Sequence, residues 1–113
     1  GRFWVAEKSG DDANSSQIVG SAACLAIPEG LQLYNLYLRP QLRGTGAGRL
    51  LIETVLSFGE AIGACEIVLW TDTRFERAHR FYEKIGFKRG PMVRSLADRS
   101  WSVEYFYRLR LDR

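Results

Sequence analysis

A chain of 113 residues is long enough for one hydrophobic core and too short for two, since domains typically run to about 100–150 residues. With 46% apolar and 26% charged residues, its composition is that of an ordinary globular domain, which excludes a fibrous or disordered chain. The net charge of +3 suits an anionic ligand, but no Lys/Arg block exceeds two residues, so nucleic acid is not an expected partner.

Residues 3–7 and 17–27 are rich in β-formers and small apolar residues, and the polar tract 9–16 (SGDDANSS) between them reads as a hairpin loop. Two antiparallel strands therefore open the chain. Pro28-Glu29-Gly30 signals a turn, after which residues 31–38 read as a third strand. Apolar groups on both its faces, Leu33 and Tyr37 on one and Tyr34, Leu36 and Leu38 on the other, put it in the middle of a sheet.

From Gly48 the period becomes helical, with Leu51, Val55, Phe58 and Ile62 on one side and Arg49, Glu53, Ser57 and Glu60 on the other, ending near Gly63. The apolar run 67–70 (IVLW), bounded by Glu66 and Thr71-Asp72, reads as a buried strand, so strand, helix and strand predict a right-handed parallel crossover. Thr73-Arg74-Phe75-Glu76 fits a T-x-x-E capping box that starts a second helix. The apolar stripe of that helix is Ala78, Phe81, Tyr82 and Ile85, and Gly86 supplies the left-handed residue past its end.

Phe87 leads into a strand that Gly90-Pro91 confines to an edge or a bulge. Residues 101–111 alternate almost strictly, and the polar stretch 94–100 before them makes the final pair antiparallel. A terminal strand this long and apolar invites pairing with a second copy, so a homodimer edge is expected there. The expected fold class is α/β: a mixed, mostly antiparallel sheet with one parallel strand-helix-strand crossover and a second helix, in a single domain over residues 1–113.

No apolar run nears the ~18–20 residues of a membrane span, and the opening Gly1-Arg2-Phe3-Trp4 is unlike a secretory leader, so a cytoplasmic location is expected. Cys24 and Cys65 lie in apolar stretches with no Cys or His nearby at metal-ligand spacing. Both read as small core residues, and no metal site is expected.

The chemistry concentrates in Gln41-Leu42-Arg43-Gly44-Thr45-Gly46-Ala47-Gly48, between a buried strand and a helix. Glycine at this density lets the backbone curl so that several N–H groups point at one spot, and the helix N-terminus adds about half a positive charge. The spot should hold an anion such as a pyrophosphate. A P-loop is excluded because Arg49-Leu50 follows Gly48 in place of Lys-Ser/Thr. A dinucleotide fingerprint fails because Arg49 stands where its third glycine belongs and Glu66 lies at the wrong end of the next strand.

Gln41-x-x-Gly44-x-Gly46, following Leu36-Tyr37-Leu38-Arg39-Pro40, resembles the coenzyme A loop of GCN5-related N-acetyltransferases (GNAT). Ala78-x-x-Phe81-Tyr82-Glu83-Lys84-Ile85-Gly86-Phe87 resembles the same family's second signature. The resemblance implies a domain that binds acetyl-CoA and transfers its acetyl group to an amine acceptor. It also implies that Gln41, Arg43, Gly44, Thr45, Gly46, Ala47 and Gly48 bind the cofactor pyrophosphate, and that the backbone of Leu36, Tyr37 and Leu38 pairs with the pantetheine arm. Splaying of the two parallel strands would open the slot for that arm.

Tyr82 matches the family tyrosine beside the coenzyme sulfur, implying a general acid for the departing thiolate; its rival role is packing with the stripe it shares. The residues do not name a general base. Gln32 stands where some members have glutamate, leaving His79 and Glu104 as substitutes, with His79 expected at the surface beside the helix's polar face. Phe75 replaces an asparagine that often bonds the pantetheine arm. The family's usual first strand and two following helices, which wall the acceptor pocket, have no counterpart here, so a longer chain, a further domain or a partner would complete it. The alternative function is an acyl-CoA-binding regulatory or sensor domain with little turnover.

Overall fold

The sequence periods resolve into six strands and two helices among residues 2–9, 16–40, 44–96 and 102–111, which the computed structural model describes. The strands are β1 (Arg2–Ser9), β2 (Ser16–Ile27), β3 (Gly30–Leu38), β4 (Glu66–Asp72), β5 (Lys88–Ser95) and β6 (Val103–Arg110). The helices are α1 (Ala47–Ala61), between β3 and β4, and α2 (Glu76–Ile85), between β4 and β5. The sheet order is β1-β2-β3-β4-β6-β5, with β3 and β4 parallel and every other neighbouring pair antiparallel. Among the described residues no helix is long and apolar enough to cross a membrane.

Both helices cover one sheet face. Leu51, Ile52 and Val55 of α1 and Tyr82 of α2 join Ala22, Cys24, Leu31, Leu33, Ile67, Leu69 and Tyr107 in one buried cluster. On the other face, guanidinium groups lie over aromatic rings: Arg94 is 4.5 Å from the Trp70 ring centre and Arg108 is 5.4 Å from that of Phe106. Arg108 also pairs with the buried Glu66 at 3.3 Å. Cations set over ring faces gain from the ring quadrupole while keeping contact with water.

Several expectations change. Cys24 is buried, but Cys65 is exposed, because it sits in the turn before β4 with its backbone held by Glu29 and Leu111. Strand β6 lies between β4 and β5, so its hydrogen-bonding edges are filled and cannot form a dimer edge; the sheet edges are β1 and β5. Strand β5, carrying Gly90-Pro91, does sit at an edge, with a register shift between Arg89 and Val93.

In β3, Leu33 faces Cys24 and Asn35 faces Ala23, which leaves Tyr34 as an extra residue in a bulge. The bulge inverts the alternation. Tyr34 and Tyr37 are therefore exposed, while Leu36 and Leu38 pack against the core. In α1, Ile62 is exposed at the C-cap, and Ile52 and Gly59 take the buried positions.

Helix α2 starts later than the capping box implies, with Phe75 as N-cap and no side-chain cap bond. The cause is the length of β4, whose pairing with β6 runs through Asp72 opposite Glu104, while the Thr73 N–H donates to the Val103 carbonyl at 2.9 Å. Thr73 is thus held by the sheet.

Gly30 opens the β3–β4 pairing so closely that a Cβ there would overlap the Glu66 carbonyl. Gly30→Ala should destabilise the fold by about 1–3 kcal/mol through overpacking against rigid backbone. Urea unfolding checks this, and an unchanged midpoint would contradict so tight an approach.

Candidate active site

The parallel pairing of β3 with β4 runs from Gly30 opposite Glu66 to Leu33 opposite Leu69, although β3 continues to Leu38 and β4 to Asp72. The strands part at the Tyr34 bulge. Residues 35–38 stay paired with β2 on one side and, among the described residues, have no strand partner on the other. The gap is part of a cleft of about 310 Å³ lined by Leu33, Tyr34 and Leu36 from β3, by Leu69, Trp70, Thr71 and Asp72 from β4, and by Phe75, Ala78 and Tyr82 from the α2 region. Leu96, Ser102 and Glu104 close the far side. Ligands of α/β sheets sit where parallel strands end, and this cleft occupies that place.

At the start of α1, Gly44 and Gly46 adopt φ of 83° and 91°, a left-handed conformation that glycine reaches without strain. A Cβ built on either would meet nothing within 4 Å, so the turn is open to solvent. Gly46 is the N-cap, no side chain caps the helix, and its first turn holds no acidic residue. With no acidic residue in its first turn, the helix start keeps the partial positive charge that an anion site requires. A Cβ on Gly48 would lie 3.5 Å from both Leu38 and Phe81, so the helix start packs between the end of β3 and α2.

Of the sequence-predicted site residues, Leu36 and Tyr82 line the cleft. Tyr37 is exposed, Leu38 is half-buried, and Gly44, Thr45, Gly46, Ala47 and Gly48 form the turn and first residues of α1. Gln41 and Arg43 lie outside the described residues. The sequence reading missed Trp70, Thr71, Asp72 and Ser102; the position of the first three at the carboxyl end of a parallel strand was the available signal.

Tyr82 is 8% exposed, and its ring packs at 5.8–6.0 Å from those of Phe81, Phe87 and Tyr107. Packing and facing the cleft thus coexist. Its hydroxyl has no hydrogen-bond partner among the described residues, and burial pushes its pKa up to about 12.

His79 is buried, contrary to its expected surface position, because α2 turns it toward the sheet beside Tyr105 and Tyr107. Its Nε2 lies 2.8 Å from the Asp72 carbonyl. A carbonyl can only accept, so that nitrogen carries the proton and His79 anchors α2 to the end of β4. The Asp72 carboxylate accepts from the Arg74 backbone N–H at 2.8 Å and from its guanidinium at 2.9 and 2.6 Å. These bonds hold its pKa well below the usual carboxylate range. Glu104 lines the cleft with Oε1 accepting from Arg94 Nε at 2.7 Å.

These features match a known family. The acetyltransferase (GNAT) domain family matches residues 1–89. The chain is 37% identical over 95 residues to N-acetyltransferase 8F1 of Rattus norvegicus, covering 79% of this chain and 40% of that protein. It is 35% identical over 114 residues to N-acetyltransferase family 8 member 2 of the same species, covering 95% of this chain and 48% of that protein. The chain therefore spans less than half the length of these relatives. Its fold also matches the crystal structure of the PaiA N-acetyltransferase from Thermoplasma acidophilum in complex with coenzyme A, with a TM-score of 0.70, 22% identity, and coverage of 82% of this chain and 54% of that one.

Because the folded state lowers the Asp72 pKa, its contribution to stability is complete above the ordinary carboxyl pKa and is lost progressively as pH falls from that value toward the lower pKa of the folded state. Asp72→Asn should lower the melting temperature at pH 7, with the gap to wild type closing below about pH 4. A gap that does not vary with pH would contradict the ion pair as its source.

Proposed function

Because the chain belongs to the acetyltransferase (GNAT) family, we propose that it moves an acetyl group from acetyl-CoA to a primary amine by direct attack. The observation that carries this reading is the parting of β3 from β4, which leaves residues 35–38 with one edge unpaired among the described residues, between the start of α1 and Tyr82. In this reading the turn and first amides at Gly44, Thr45, Gly46, Ala47 and Gly48 receive the pyrophosphate. The outward backbone groups of Leu36, Tyr37 and Leu38 bond the pantetheine amides as a further strand would. The open Cβ positions at Gly44 and Gly46 and the absence of acid in the first turn suit a phosphate there.

In the transfer, the amine lone pair attacks the thioester carbonyl carbon. A C–N bond forms, the C–S bond breaks, and the nitrogen sheds its surplus proton to a base or water. Tyr82 was expected to protonate the thiolate outright. With a pKa of about 12, against about 8.5 for a thiol, complete transfer from the phenol runs uphill. Its fitting role is to donate a hydrogen bond to the sulfur as charge develops there, which adds no proton to be recovered.

Tyr82→Phe should therefore lower kcat by about 10- to 100-fold, the worth of one hydrogen bond to a charged group, with coenzyme affinity unchanged. The assay is thiol release with benzylamine, spermidine, kanamycin, Nα-acetyl-lysinamide and an alanyl tripeptide as acceptors. Tight coenzyme binding without release on any of them would replace the enzyme reading with that of a sensor.

Gly46→Glu adds bulk and negative charge to the turn and should abolish coenzyme A binding in calorimetry while the circular dichroism spectrum is kept. Undiminished affinity would remove the turn from the site.

A further inference from the structure

Glu104 and Asp72 stand opposite each other on β6 and β4 and both line the cleft, yet their carboxylates are engaged differently. Both oxygens of Asp72 are taken by Arg74. On Glu104, Oε1 accepts from Arg94, and Oε2 has no partner among the described residues. The side chain is 16% exposed, and no buried side-chain oxygen among the described residues lacks a partner, so Oε2 stays within reach of solvent and of a ligand.

Its surroundings are built. The Arg94 guanidinium that fixes Glu104 is itself held over the Trp70 ring, and Trp70 lines the same cleft. Glu104, Trp70 and Phe106 belong to the sheet face opposite the helices, whereas Tyr82 comes from the helix-covered face. The gap between β3 and β4 thus connects the two faces. From one side it meets Glu104 and from the other Tyr82; the Oε2 of the first and the hydroxyl of the second have no hydrogen-bond partner among the described residues and are not sealed from solvent.

We propose that Oε2 of Glu104 receives the ammonium group of the acceptor, so that the cleft selects cationic amines arriving from the face that carries Trp70. This rests on the acetyltransferase reading above and adds the residue that recognises the acceptor. An amine reaches the cleft mostly protonated at neutral pH, and a fixed carboxylate beside an aromatic wall favours a cation over a neutral group of the same shape. Asp72 cannot substitute, because Arg74 occupies its oxygens.

The test uses the full-length protein, the best acceptor of the five amines named above, and that acceptor's neutral hydroxyl counterpart. Kd values are measured by calorimetry in the presence of coenzyme A, and KM by thiol release. Glu104→Gln should raise Kd and KM for the amine at least about tenfold, with coenzyme A affinity and binding of the neutral counterpart unchanged. Glu104→Asp should recover part of the loss. Arg94→Met, which releases Oε1 and leaves the Glu104 charge uncompensated, should tighten amine binding and gives a second readout if Glu104→Gln does not fold.

Wild-type amine affinity in Glu104→Gln overturns the proposal, as does equal weakening of amine and neutral counterpart, which would mark Glu104 as a structural contact only. Weaker amine binding in Arg94→Met also counts against it. If the wild-type protein releases no thiol with any amine, the acetyltransferase reading falls and this subsite with it. Release that Glu104→Gln leaves at wild-type KM removes the subsite alone.

Discussion

The structure depends on a parallel pairing that is allowed to begin and then made to stop. Strands β3 and β4 are held from Gly30–Glu66 to Leu33–Leu69 by backbone contact too close for a side chain at Gly30 and by burial of Leu31, Leu33, Ile67 and Leu69. Immediately afterwards comes one extra residue, Tyr34, beyond which β3 keeps its pairing with β2 and ends its pairing with β4. Pairing with β2 alone, among the described residues, leaves backbone donors and acceptors along residues 35–38 facing a gap, and such groups favour a ligand that completes them. The cleft is thus a consequence of strand register.

The helix that brings Tyr82 to this gap is fixed by polar ties more than by its own capping. Asp72, at the end of β4, gives its carboxylate to Arg74 and its backbone carbonyl to His79, so the strand end, the turn and the first helical turn form one unit. At the other end the Tyr107 hydroxyl donates to Glu83 at 2.7 Å and accepts from Arg89 at 3.2 Å. Arg89 also lies 4.1 Å from the Tyr105 ring centre. Ties at both ends limit how far α2 can roll, a fixity that the role proposed for the Tyr82 hydroxyl would require.

Charge is distributed to match. The turn at Gly44 and Gly46 leads into a helix whose first turn holds no acid and so offers partial positive charge, while at the sheet's other face Glu104 has one carboxylate oxygen without a partner among the described residues. The anion and cation sites proposed for these two places would suit a reaction that joins a phosphate-bearing donor to an amine.

The sequence by itself determined the element order, the parallel crossover, the edge position of β5 and the glycine turn, because each rests on local period or on backbone freedom that only glycine has. It also marked Tyr82, through a motif on one helix face. What only the tertiary structure decided were features set by a neighbour. The bulge at Tyr34 depends on pairing with β2, the late start of α2 on β6 holding Thr73, and the interior place of β6 on β5 taking its outer edge. The burial of His79, the exposure of Cys65 and the contrast between Asp72 and Glu104 follow from contacts between residues far apart in the chain or from the way turns present them, and no local pattern records which oxygen is left without a partner.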